Sequence, residues 1–161
     1  MSRRIDALLA EYGESHRNPV NKRVHWICVP IIVWTVMALL WSLPVPGPLA
    51  AAGARAGIEA NWLSVALALA LIYYLALSPL LAVGFALFAA AAVWLIRLAE
   101  AAVPLPLWQL ALILFVLAWA GQFWGHKVEG RKPSFFKDVQ FLLIGPAWLL
   151  HFIYRRLGIP Y

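Results

Sequence analysis

Four stretches of the chain carry no charged residue: 24–54, 60–96, 101–126 and 139–154. A bilayer crossing takes about 20 apolar residues, with about 17 as the lower bound. The first stretch predicts one transmembrane helix over 25–43, ended by Pro44, Pro46 and Pro48. The second, 37 residues long, is too long for one straight span at about 1.5 Å per residue. Ser78-Pro79 lies near its middle, and proline disfavours helix at the residue before it. It therefore reads as a tight hairpin of helices 61–77 and 79–97. The third stretch predicts a helix over 105–126. The fourth has only 16 residues and contains Gly145-Pro146, so a re-entrant or interfacial helix pair over 139–154 fits better than a crossing. Ahead of these, Ile5, Leu8, Leu9 and Tyr12 fall at i, i+3, i+4 and i+7. That stripe predicts a surface helix within 1–15, lying on the membrane or on the bundle. The expectation is an all-α integral membrane bundle of about four transmembrane helices, forming one domain over 1–161.

Composition strengthens the membrane reading. The chain is 64% hydrophobic and 12% charged, against about 45–50% and about 25% for a soluble domain. Nine tryptophans and five tyrosines suit repeated passage through lipid–water interfaces. The one cysteine, Cys28, excludes an intramolecular disulfide and a cysteine-based zinc site. Residues 1–15 carry Asp6, Glu11 and Glu14 and lack an apolar core, so no cleavable signal peptide is expected.

The net charge of +6 fits a positive-inside bias better than nucleic-acid binding. Of 13 basic residues, only Arg55 and Arg97 fall outside the segments before the first helix, after the fourth, and after the last apolar stretch. Four crossings place those segments on one side. Both termini are then expected in the cytoplasm, with a bacterial inner membrane as the setting.

This topology brings the histidines together. His16 and His25 precede or begin the first helix, His126 ends the fourth, and His151 lies in the broken final segment. All four come to the cytoplasmic face. Asn18-Pro19 reads as an N-cap with proline at the first helical position. Asn21 and His25 then share a helix face, as do Gln122, His126 and Glu129. Gly121 and Gly125 permit close backbone approach beside His126. Neutral imidazoles without thiols favour non-haem iron or zinc, with Asn21, Gln122 and Glu129 as candidates to orient the rings.

Two patterns carry a family resemblance. Tyr12, His16, Asn18-Pro19, Asn21-Lys22 and His25 read Y-x3-H-x-N-P-x-N-K-x2-H, and Gln122-Phe123, Gly125-His126, Glu129 and Pro133 read Q-F-x-G-H-x2-E-x3-P. Together, and across nearly the whole chain, they resemble the membrane 2-hydroxy fatty acid dioxygenase family. Its fungal member works in the endoplasmic reticulum, in the α-oxidation step of phytosphingosine breakdown. The resemblance implies an Fe²⁺-dependent oxidoreductase that takes a 2-hydroxy fatty acid and O₂ to the fatty acid one carbon shorter and CO₂. It implies catalytic and iron-ligand roles for His16, His25 and His126. His151 is added as a fourth ligand from topology alone. Lys22, Arg23, Lys127 and Arg131 are candidates to attract the substrate carboxylate. The expected partners are a fatty acyl lipid, O₂ and the membrane, with no nucleic acid. Two other readings stay open on the residues: a zinc-dependent membrane lipid hydrolase with Glu129 as base, and a non-enzymatic transporter or structural protein.

Overall fold

Three helix starts in this chain are set by polar side chains that satisfy backbone donors. In the computed structural model, which describes residues 4–14, 16–130 and 142–160, Asn18 caps α2 (Pro19–Trp41). Its side chain accepts from the Val20 N–H, and Pro19 follows at the first helical position. Asn61 and Ser64 form a reciprocal capping box at α4 (Trp62–Leu77). Ser78 alone separates α4 from α5 (Pro79–Ala102). Its N–H bonds the Tyr74 carbonyl at 2.8 Å while its hydroxyl accepts from the Leu81 N–H. The remaining helices are α1 (Arg4–Glu14), α3 (Gly47–Ala56), α6 (Leu107–Glu129) and α7 (Ile144–Leu157). Among the described residues every regular element is helical.

Three of these helices, α2, α5 and α6, are long and apolar enough to cross a membrane. The shorter apolar helix α4 has 16 residues. At about 1.5 Å per residue it spans roughly 24 Å, less than a hydrocarbon core of about 30 Å. The final segment differs from a helix pair: from Ile144 it is one helix, with Gly145-Pro146 inside its first turn. A proline there breaks no hydrogen bond, because the first-turn N–H groups have no intrahelical acceptor. The rest of that expectation, residues 139–141, lies outside the described residues, as do Arg131 and Pro133.

The most extensive pairing is α2 with α6, followed by α4 with α5; α1 rests on α7, and α7 also packs on α5. Ile5, Leu9 and Tyr12 of α1 are buried, so its apolar stripe faces protein. Tyr154 of α7 donates to the Leu80 carbonyl at 2.6 Å, and the Tyr74 hydroxyl donates to the Leu143 carbonyl. These bonds seat α7 across the α4–α5 hairpin.

The α2–α6 contact depends on absent side chains. A Cβ on Gly125 would lie 2.6 Å from Asn21 Oδ1 and 3.1 Å from Val24 Cγ1, and one on Gly121 would lie 2.8 Å from Cys28 Sγ. The two helices run antiparallel, since residue numbers rise on one as they fall on the other. We expect Gly125→Leu to force them apart and cost about 1–3 kcal/mol as overpacking. Thermal melts of the purified variant check this, and a melt equal to that of the unchanged protein counts against the close approach.

Candidate metal centre

At one end of the α2–α6 pair three histidines converge. His16 lies in the link before α2, His25 one and a half turns into α2, and His126 in the last turn of α6. All three are buried. One ring nitrogen from each lies within 4.8 Å of the other two.

The second ring nitrogen of two of them is fixed by the backbone. His16 Nδ1 bonds the Tyr12 carbonyl at 2.6 Å, and His25 Nδ1 bonds the Asn21 carbonyl at 3.0 Å. A carbonyl oxygen only accepts, so each Nδ1 carries the hydrogen and donates it. In the neutral ring Nε2 is then left with a bare lone pair. His16 Nε2 and His25 Nε2 face each other at 2.7 Å. Burial above all, helped by the charges of His126 and Lys22 and opposed by the Tyr12 carbonyl and Glu129, pushes the His16 imidazole down to about 4. At neutral pH it is uncharged. Two lone pairs therefore point at one another in a buried place with no proton to share. Such a pair repels unless an electrophile sits against it. A neutral imidazole held by Nδ1–H to a carbonyl is the usual setting of a metal-binding histidine. The donor set fits a divalent transition metal.

Aromatic rings wall this cluster. Tyr12 stacks on His16 with centroids 4.3 Å apart, and Trp148 of α7 lies 5.4 Å from His16 on another side. Composition alone suggests interface anchoring for the tryptophans, and nothing in the local sequence marks Trp148. Tyr12 had a signal in its spacing, four residues before His16, which suits its carbonyl to the bond it makes.

Glu129 sits one turn beyond His126. Its carboxylate accepts from the Arg17 N–H at 3.0 Å, from the Asn18 N–H at 2.9 Å and from Asn21 Nδ2 at 3.1 Å. It thus caps the start of α2 from another helix, with its bonds going to these donors and its charge acting on His16. A carboxylate held by three donors is poorly suited to serve as the base of a zinc hydrolase. Asn21 is fully buried; its side chain meets Glu129 and its carbonyl holds His25. Gln122 lines a small cavity of about 30 Å³ with His25, Tyr12 and Trp119. Its buried Oε1 has no hydrogen-bond partner among the described residues.

His151 is placed elsewhere. It is half-buried on α7, its ring is 5.3 Å from that of Phe152, and Arg155 and Asp6 are its charged neighbours. It is not one of the three gathered histidines. Trp148, one turn earlier on α7, is the residue of that helix that meets His16. Of the candidate carboxylate partners, Lys22 is half-buried and close enough to act on His16, while Arg23 and Lys127 are exposed.

The family described as 2-hydroxy-palmitic acid dioxygenase Mpo1-like matches residues 2–157. No curated protein and no solved structure matches the chain.

Proposed function

Because the chain belongs to the 2-hydroxy-palmitic acid dioxygenase Mpo1-like family, we propose that it oxidises 2-hydroxy fatty acids with O₂ at an iron held by His16, His25 and His126. The observation that supports this most is the opposition of the His16 and His25 Nε2 lone pairs at 2.7 Å. The reaction balances without another reductant. The acid R–CH(OH)–COOH and O₂ give R–COOH, CO₂ and H₂O; the C1–C2 bond breaks, and the four electrons lost by C1 and C2 reduce O₂. When bound, Fe²⁺ would supply the redox chemistry that activates O₂ and would bind the polar head of the substrate.

The protein's own residues do the rest. The Tyr12 and Asn21 carbonyls hold two imidazoles in the tautomer that presents Nε2. Tyr12 and Trp148 fix the His16 ring and keep water from that side. The half-buried Lys22 ammonium draws the substrate carboxylate towards the cluster. Gln122 offers a buried amide to the substrate's polar head, a different task from orienting an imidazole. The basic-residue bias supports a cytoplasmic position for this end of the bundle and for both termini, with a bacterial inner membrane as the setting.

Loading the purified protein anaerobically with Fe²⁺ or Zn²⁺ tests the reading. We expect about one bound metal per chain. Iron-loaded protein should consume one O₂ and release one CO₂ for each 2-hydroxypalmitic acid. Equal turnover by zinc-loaded or metal-stripped protein would sink the proposal.

A further inference from the structure

Alanines leave one side of α5 without side-chain volume. Opposite them on α2 lie Pro30 and Trp34, and between the two helices runs an apolar groove of about 550 Å³. It follows α5 from Phe88 to Val103, and Ala91, Ala92, Ala99 and Ala102 make it concave. From Phe88 to Ala102 is roughly 21 Å along the helix. One leaflet of a hydrocarbon core is about 15 Å deep.

The groove connects to the histidines through a chain of shared walls. Pro30 and Phe88 also line a recess of about 130 Å³ bounded by Trp26, Val29 and Pro146. Val29 in turn lines the small cavity that holds His25 and Gln122. A second apolar groove, of about 460 Å³ between α2 and α6, is lined by Leu39, Trp108 and Phe115 among others. It shares no wall with the spaces next to His25.

We propose that the α2–α5 groove binds the acyl chain of the 2-hydroxy fatty acid, entering at Trp26 and Pro146 and running to Val103, with the polar head at the histidines. This deepens the dioxygenase reading and rests on it. Lipid tails are as apolar as the groove, so the hydrophobic effect does not hold the chain there. The head is anchored at one end, and the walls decide how long a tail fits behind it. The alanines are then a chain-length ruler. Ala91 stands nearer the histidine end and Ala102 at the far end, and both are exposed, so a larger side chain at either enters the groove without displacing buried protein.

The test uses the full-length protein in lipid nanodiscs and 2-hydroxypalmitic acid carrying a diazirine at its chain end. With redox-inert Zn²⁺ loaded in place of iron, illumination should label α5 between Ala91 and Leu95. Ala91→Trp should reduce that labelling at least about tenfold, in line with the cost of refusing part of a chain. In iron-loaded protein, Ala91→Trp should shift preference towards short chains strongly, and Ala102→Trp should do so only against the longest. Labelling spread evenly over lipid-facing Leu69 and Leu117, or concentrated at Leu39 and Trp108, overturns the proposal. So does an unaltered chain-length profile in both tryptophan variants. If instead the dioxygenase reading fails, the unmodified protein turns over no 2-hydroxy acid of any length. Label concentrated on α5 would then still support the groove as an acyl-chain site.

Discussion

A His25→Ala protein is expected to purify from the membrane folded, without bound metal and without turnover. His25 is nearly fully buried, and its Nδ1 is committed to the Asn21 carbonyl. Its Nε2 faces that of His16. Removing it takes away one of three donors and leaves the other two too few to hold a divalent ion in competition with water. Even losing an outer partner of a metal ligand costs about 10–100-fold in affinity or activity. Losing the ligand should cost more than roughly 100-fold. Thermal melts supply a second readout, independent of catalysis. A metal at 100 times its dissociation constant stabilises the form that binds it by about 2.7 kcal/mol. For a chain of this size that is a rise of roughly 5–10 °C. The unmodified protein should show that rise on adding Fe²⁺ or Zn²⁺, and His25→Ala should not. His151→Ala should keep both the bound metal and the rise, because His151 stands outside the cluster. Metal retained at full occupancy in His25→Ala would remove the ligand assignment. Metal lost in His151→Ala would mean that α7 moves towards the site.

What could be read from the sequence, and what could not, follows from how each feature is encoded. The helical class is written in charge-free stretches bounded by proline and by small polar caps, and these are properties of residues along the chain. The family is written in two short patterns of residue types. The end of the bundle at which the histidines meet follows from parity: each crossing reverses direction. Parity says nothing about position along or around a helix, which is why it could not tell that Trp148, and not His151 one turn later, meets His16. Prolines have two meanings that sequence does not separate. Pro44, Pro46 and Pro48 read only as an end to the first helix, yet Pro48 is the second residue of α3, where its fixed φ suits a helix start. Gly145-Pro146 reads as a break and stands in the first turn of α7 for the same reason. Glu129 was visible as a polar residue one turn from His126. Its partners were not, because two of them are backbone N–H groups more than a hundred residues away, and every residue but proline has one.

Glu129→Ala is expected to weaken metal binding by about 10–100-fold, although Glu129 is hydrogen-bonded to backbone and amide donors and not to an imidazole. One carboxylate meets the backbone on each side of the site. It stands three residues after His126 on α6. It accepts the N–H groups of Arg17 and Asn18, which directly follow His16. It also accepts Asn21 Nδ2, and the same asparagine's carbonyl aims His25. All three histidine-bearing segments are therefore tied at one group. A negative charge over the first turn of α2 also meets the positive end of that helix. Removing it should cost about 1–3 kcal/mol of stability, since hydrogen bonds to a charged group are the stronger kind. A lower melting point alone would show only a lost cap. The readout that separates positioning from capping is the visible absorption of Co²⁺ bound in place of the native metal, which reports how its ligands are arranged. In Glu129→Ala that spectrum should change as His16 and His25 lose their common tether. Glu129→Gln keeps one acceptor oxygen at the same reach, so it should restore part of the affinity and of the spectrum. Glu129→Asp is too short to reach the Asn18 N–H and should behave like Ala. If Glu129→Ala binds Co²⁺ with unchanged affinity and an unchanged spectrum while melting lower, the carboxylate is a helix cap and nothing more.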